Sequence, residues 1–325
     1  MQMSSVSPAP RARDSHLTDS RHWEWQYLDL MRHIWDHGDE RVDRTGIGTR
    51  SVFGPQIRFD LSGGHVPLLS TKRVFWKAAA REMLWFLTGN TNIRPLLQEG
   101  VTIWSDWPLA KYRKASGSEI SQEDFERRVV DDEAFALEWG DLGPVYGKQW
   151  VDWPTWQPAG DGLYRPGPGI NQIAELVSGL RQNPGGRRHI IEGWNVAELD
   201  RMALPPCHKT YQFHVGQGRL NCLLFQRSCD VALGLPFNLF GAALLTRMIA
   251  AQAGLEPGEL VWTGGDTHLY LNHADLVAEQ LAREPDGAPT LDLLRVPDSI
   301  FAYRFDDFAV RDYHPQGVIR APVAV

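Results

Sequence analysis

The 325-residue chain is poor in cysteine, with only Cys207, Cys222 and Cys229. An odd, small number in so long a chain argues against a disulfide framework and for a reducing compartment, the cytoplasm. None of the three has the Cys/His spacing of a metal-binding module. Long hydrophobic runs are missing too: nothing approaches the roughly 18 residues that cross a bilayer, and residues 1–15 lack the apolar stretch of a secretory signal. Neither membrane insertion nor export is expected. Basic excess is also absent, since 33 Lys and Arg stand against 40 Asp and Glu for a formal charge of −7. No overall cationic field therefore suggests binding to nucleic acid or to an anionic membrane, and an anionic substrate must be met locally.

What is present is enough apolar sequence, 43% of the chain, to build a proper core. Apolar residues at helical spacing (Tyr27, Leu28, Met31, Ile34, Trp35) before Gly38 predict a first helix. Ile57, Phe59 and Leu61 alternate with polar residues, which predicts a strand over 51–61. Phe75 to Leu87 reads as a helix carrying Glu82 and closed by Gly89. Between Pro108 and Trp139 charge is dense and apolar period weak, so 108–139 is expected to be a charged surface insertion with one short helix. Further helices are expected over 170–180, 238–253 and 270–281, a hairpin about Gly216-Gln217-Gly218, and a short strand over 260–263. Strands and helices lack a regular βαβ rhythm, a Gly-rich dinucleotide fingerprint, a repeat and an internal linker. The expectation is a single α+β domain over 22–325 behind a disordered tail, 1–21.

Cys207 is the most reactive candidate, because two prolines in Leu204-Pro205-Pro206-Cys207-His208 stiffen the approach to a strand. It reads either as a nucleophile or as a small buried hydrophobe. Its neighbour His208 is no obvious base, since adjacent strand residues point to opposite faces. Arg44, Arg187, Arg188 and Arg227 have the planar forks that suit phosphate oxygens, and the alternative is ordinary surface charge. Glu82, on an apolar helix, is either a proton-transfer group with a raised pKa or a buried structural carboxylate. Gly264-Gly265-Asp266-Thr267-His268-Leu269-Tyr270 crowds hydrogen-bonding side chains about an expected tight turn, which could grip a sugar hydroxyl or merely start a helix.

Taken together, Asp141-Leu142-Gly143-Pro144-Val145-Tyr146-Gly147, Leu204-Pro205-Pro206-Cys207-His208, Gln226-Arg227-Ser228-Cys229-Asp230, Gly234-Leu235-Pro236-Phe237-Asn238, the segment 264–270 and the terminal Ala321 to Val325 resemble the thymidylate synthases in kind, order and spacing. The resemblance covers about residues 22–325. It implies a mixed sheet packed by helices, with one sheet face used to form a homodimer. It implies dUMP as substrate and 5,10-methylenetetrahydrofolate as donor of carbon and hydride, with no metal and no nicotinamide.

Residue by residue, Cys207 matches the nucleophile that adds to uracil C6. Arg44 and Arg227, with Arg187 and Arg188 from the second subunit, match the phosphate grip, to which Ser228 adds a hydroxyl; these cations are expected to favour the thiolate. Asn238 matches the reader of the pyrimidine, His268 and Tyr270 the holders of the 3′-hydroxyl. Asp230 matches a contact to both base and pterin. Glu82 would organise the protons at O4, and Tyr146 would assist loss of the C5 proton. Lys72, Trp104, Trp107, Gly234, Phe237 and Val325 match the folate side, with Lys72 along the polyglutamate tail and the C-terminus closing over the site.

Phe75, Glu192-Gly193-Trp194, Phe225 and Phe240-Gly241-Ala242 depart from common family residues and bear on folate affinity and subunit contacts. A hydroxymethylase on the same scaffold is opposed by Trp104, which helps to exclude water, and by Asn rather than Asp at 238. A silent nucleotide-binding or RNA-binding homologue would need neither Cys207 nor Glu82.

Overall fold

The computed structural model describes residues 22–42 and 46–322. The tail expected over 1–21, together with Arg44 and Val325, lies outside the described residues. Helix α1 (Glu24–His37) buries Tyr27, Leu28, Met31 and Ile34, and stops where the Gly38 N–H donates to the Ile34 carbonyl. At its start the Glu24 carboxylate is fully buried and accepts from the backbone N–H and hydroxyl groups of both Ser70 and Thr71. These donors satisfy the charge where water cannot.

Strands β1 (Asp39–Arg41), β2 (Thr49–Phe53) and β3 (Gln56–Asp60) follow. The single strand expected over 51–61 is divided because Gly54 has φ +82° and Pro55 has no N–H to give to a ladder. Helix α2 (Trp76–Thr88) ends on left-handed Gly89 and carries Glu82, and α3 (Arg94–Gln98) follows.

The expected surface insertion is instead three helices, α4 (Asp106–Ser116), α5 (Gln122–Asp131) and α6 (Glu133–Trp139). They enclose Leu109, Phe125, Val129 and Phe135, and the Tyr112 ring packs against Phe125, Phe135 and Trp139. Each helix gives only a few apolar residues to this cluster, so no stretch long enough to show a period exists. Ser121 and Asp132 cap α5 and α6 by accepting from Asp124 and Phe135 N–H groups.

After α7 (Gly147–Val151), a separate hairpin of β4 (Trp156–Gly160) and β5 (Leu163–Pro166) leads to α8 (Gln172–Gln182) and β6 (Ile190–Glu192). The expected hairpin is β7 (His208–Gly216) with β8 (Arg219–Asp230), turning at Gln217-Gly218. Helix α9 (Leu235–Ala253) is buried on nearly every side. Its one charge, Arg247, donates to the Leu61 and His65 carbonyls at 2.6 Å each.

The strand expected over 260–263 is the middle of the 15-residue β9 (Glu256–Tyr270), so the expected tight turn at 264–270 is extended strand. Pairing with β2, β3 and β8 holds β9 straight despite its glycines. Helix α10 (Ala274–Leu281) starts after a 3-10 turn, Leu271–His273, and β10 (Thr290–Leu293) pairs with β11 (Phe308–Arg311).

The main sheet runs β1-β2-β9-β8-β7-β6, with β3 also on β9. Every pair is antiparallel except β8 and β9, which α9 connects. Its inner face presents Leu220, Cys222, Leu224 and Gln226 from β8 to the core. On the outer face the row Ile190, Gln212, Leu223, Val261, Arg58 crosses five strands in register. Among the described residues no helix is long and apolar enough to cross a membrane.

Replacing Glu24 by Ala leaves the Ser70 and Thr71 N–H groups buried without an acceptor. Glu24→Ala should lower unfolding stability by about 3 kcal/mol, read as a lower urea midpoint at constant m. A midpoint matching the unmodified protein would remove this carboxylate from its anchoring role.

Candidate active site

Cys207 ends the loop that enters β7, and β8 holds that loop down. The Arg227 N–H donates to the Cys207 carbonyl at 2.9 Å. Its guanidinium donates from Nε to the Pro206 carbonyl (2.9 Å) and from Nη2 to the Pro205 carbonyl (2.6 Å). The Pro-Pro pair has no N–H of its own to spend, so both carbonyls are offered to one cation beside the thiol. Trp194 lies 5.3 Å under the same guanidinium. Glu192 fixes Trp194 by accepting from its N–H at 2.9 Å, and also pairs with Lys209 and Thr210.

Burial pushes the Cys207 thiol up, while Arg227 and the Tyr146 hydroxyl pull it down. The net direction is upward: Arg227 favours the thiolate as expected, but desolvation outweighs it. Arg187 and Arg188 are not among the causes of the shift.

Tyr146 meets Cys207 directly: its hydroxyl oxygen accepts from the Cys207 N–H at 2.8 Å. The residue has φ 26° and ψ −89°, a conformation that costs about 1–3 kcal/mol and that packing must enforce. Its flanking glycines show how. A Cβ at Gly143 would stand 1.9 Å from the Arg201 carbonyl oxygen, and one at Gly147 would stand 2.1 Å from that of Phe86. The Tyr146 ring stacks on Phe86 at 4.9 Å and meets Trp104 at 5.7 Å and His208 at 5.3 Å. Burial, with the charges of Cys207 and Glu82 in reach, holds its hydroxyl well above the usual phenol range.

Glu82 comes from α2 and accepts from Trp104 Nε1 at 2.7 Å. Burial raises its carboxyl from 4.5 to about 7, against that hydrogen bond. Trp104 is 6% exposed and lies 5.3 Å from the Trp107 ring. The described aromatic wall is therefore continuous from Tyr146 through Trp104 to Trp107.

Asn238 sits in the first turn of α9, where Gly234 and Phe237 also lie. Its Oδ1 accepts from Gln226 Nε2 at 2.8 Å. His208 is buried on the other side, its imidazole pushed down to about 4 by desolvation while a bond with Asn238 opposes the shift. His208 Nδ1 has no partner among the described residues.

The turn before α9 is fixed three times over. Asp230 Oδ1 accepts from the Ala232 and Leu233 N–H groups, Tyr27 donates to the Val231 carbonyl, and Lys72 donates to that of Ala232. Lys72 is thus only 6% exposed, with burial lowering its ammonium to about 8. It faces inward rather than along an exposed polyglutamate path, because its apolar stem is enclosed and the Ala232 carbonyl and Asp230 meet its charge.

On β9, His268 pairs in register with Asp230, and Ser228 with Asp266. His268 Nδ1 bonds Asp266 at 2.9 Å, and Tyr270 meets the His268 ring edge-on at 5.3 Å. Gly264 and Gly265 permit this close pairing. A Cβ on Gly264 would stand 2.6 Å from the Trp262 ring, and one on Gly265 would stand 2.5 Å from the Arg227 carbonyl oxygen.

The structure thus brings together Cys207, Arg227, Tyr146, Glu82, Trp104, Asn238, Asp230 and His268. It does not bring Arg187 and Arg188 to them. Both are exposed on the turn after α8, in a cavity of about 640 Å³ shared with Glu175 and His189. The His189 carbonyl is bonded to the Phe213 N–H. Phe213 lies six residues along β7 from Cys207, about 20 Å at strand rise. Gln226, Trp262, His208 and Trp194 join the site without a role expected for them from the sequence. The available signal was Gln226 itself, a polar residue at an inward position of an alternating strand. No group of three His, Cys, Asp or Glu among the described residues is placed to hold a metal ion.

The thymidylate synthase family model matches residues 25–325. The chain is 72% identical over 313 residues to a protein of Novosphingobium aromaticivorans named thymidylate synthase, covering 96% of this chain and all of the relative. Proteins of the same name from Sphingopyxis alaskensis and Rhizorhabdus wittichii are 67% and 62% identical, covering 95% and 94% of this chain and all of each relative. With its motifs folded about one thiol and residues 25–325 matched by the family model, the chain belongs to the thymidylate synthase family.

Proposed function

We infer that this enzyme methylates dUMP to dTMP, taking the carbon and the hydride from 5,10-methylenetetrahydrofolate and releasing dihydrofolate. The observation that carries the reading is the convergence on Cys207: Arg227 at its carbonyl and proline loop, Tyr146 at its N–H, and Glu82 and Asn238 beyond. Uracil C5 is a weak nucleophile, so the Cys207 thiolate adds to C6 and places the electron pair in an enolate over C5 and O4. Because burial favours the neutral thiol in the free chain, the thiolate gains most once the phosphate and partner arginines complete the site.

Asn238 reads the base. Its Nδ2 donates to O4, and the second lone pair of Oδ1 accepts from N3–H. Glu82, poised near 7, delivers and removes protons at O4, and Tyr146 assists loss of the C5 proton. Arg227 and Ser228 hold the phosphate with Arg44, and His268 and Tyr270 the 3′-hydroxyl. Trp104, Trp107, Asp230, Gly234, Phe237 and Val325 receive the folate, and the aromatic wall excludes water from the transferring carbon.

Arg187 and Arg188 serve a neighbouring subunit, since about 20 Å of strand separates them from their own Cys207. The outer sheet face, with Ile190, Leu223, Phe225 and Val261 in adjacent rows, is the surface on which two copies would meet. Leu223 is 37% exposed there. The cysteines among the described residues are all free, which fits a reducing cytoplasm.

Cys207→Ser should bind dUMP while losing nearly all turnover, measured by dihydrofolate absorbance; undiminished turnover would remove the thiol from its role. For Glu82, a folded pKa raised above 4.5 means a stabilising contribution present in full below pH 4.5 and lost as pH rises through about 7. Glu82→Gln should abolish that part of the pH-dependence of unfolding and reduce kcat by at least a hundredfold. An unchanged stability slope between pH 5 and 8 would contradict the raised pKa. Mixing Cys207→Ser with Arg188→Ala subunits should restore activity through hybrid dimers carrying one intact site, and mixtures as inactive as their parents would place each site within one chain.

A further inference from the structure

The inner face of the sheet contains one polar chain of bonds that ends at the base reader. Trp262 Nε1 donates to Gln226 Oε1 at 2.9 Å, and Gln226 Nε2 donates to Asn238 Oδ1 at 2.8 Å and to the Ser228 carbonyl at 3.2 Å. Trp262 is fully buried and Gln226 is 2% exposed, so water cannot substitute for a lost partner. An amide side chain can present either end, but an indole N–H can only donate and a carbonyl can only accept. With Trp262 at one end and Ser228 at the other, the Gln226 amide has a single satisfied orientation. Asn238 must then turn its oxygen to Gln226, which leaves Nδ2 for the exocyclic position of the base.

Gly264 is part of the same device. It neighbours Gln226 in register across β8 and β9, and a Cβ there would stand 2.1 Å from the Thr267 hydroxyl and 2.6 Å from the Trp262 ring. The missing side chain keeps the indole where its N–H meets Gln226.

We propose that Trp262, acting through Gln226, is a positioning residue that holds the Asn238 amide in the orientation that accepts uracil and rejects cytosine. The inference rests on the reading of Asn238 as base reader. Uracil offers O4 as acceptor and N3–H as donor; cytosine offers an amino donor and a bare N3 acceptor. With the amide held, cytosine meets donor against donor and acceptor against acceptor. With the amide free to flip, its oxygen accepts from the cytosine amino group and its Nδ2 donates to N3. A freed Asn238 therefore discriminates poorly, although no atom that touches the base has changed.

The test compares dissociation constants of dUMP and dCMP, measured by calorimetry on the full-length enzyme. Gln226→Met removes both the acceptor and the donors at similar volume, Trp262→Phe removes the orienting N–H together with part of the ring, and Gly264→Ala crowds both the indole and the Thr267 hydroxyl. Each should lower the preference for dUMP over dCMP at least tenfold, whereas a packing defect alone weakens both nucleotides alike. Should Trp262→Phe or Gly264→Ala fail to fold, Gln226→Met still decides the matter. Asn238→Asp separates the two readings. A ratio that moves with Asn238→Asp but stays within threefold of the starting value in every folded relay variant overturns the proposal. A ratio insensitive to Asn238→Asp overturns instead the reading on which it rests.

Discussion

The site depends on the clasp between Arg227 and the loop that presents Cys207. Two consecutive prolines cannot anchor themselves through N–H groups, and their carbonyls would otherwise be left without donors beside the sheet. One guanidinium satisfies both, and the backbone of the same residue holds the Cys207 carbonyl. The cation that shapes the loop therefore stands next to the thiol, so structural anchoring and charge placement are the same set of contacts. Removing the arginine would release the nucleophile as well as its electrostatic partner.

Around that clasp, rigidity comes from elements with little freedom to move. The single parallel pair, β8 and β9, lies near the middle of the sheet and sets Arg227, Ser228 and Asp230 against Gly265, Asp266 and His268. Helix α9 leaves β8 through a turn tied by Asp230, Tyr27 and Lys72, and its first turn carries Asn238. Tyr146 is forced into a strained backbone conformation by two glycines wedged against carbonyl oxygens. The strain is tolerable because the ring is packed on all sides, and it places a hydroxyl on the Cys207 N–H that a relaxed chain would not reach.

The same geometry fits the proposal that a second copy completes the site. Arg187 and Arg188 stand exposed at the far end of β6 and β7, while the outer sheet face carries Ile190, Leu223, Phe225 and Val261 among polar residues. Burying that face against a second copy would cover these apolar side chains and carry arginines toward a neighbouring thiol in one step. It would also offset the desolvation that holds Cys207 in its neutral form within a single chain.

Apolar spacing located α1, α2 and α8, each of which buries one face, while α9 stood out as a mostly apolar run and the β7–β8 hairpin by its Gly216-Gln217-Gly218 turn. Spacing failed for α4 to α6, whose core is assembled from three short pieces, and for β9, whose glycines read as a turn until two partner strands and the Trp262 ring claimed the space. The motifs pointed to Cys207, Asn238, Glu82 and the arginines as candidates, because those residues stand in short contiguous runs. Only the tertiary structure could show that Lys72 faces inward, that burial outweighs Arg227 at the thiol, and that Arg187 and Arg188 lie far from their own Cys207. Each of these depends on distance and solvent exclusion between segments remote in the chain, and neither quantity is written in the order of residues.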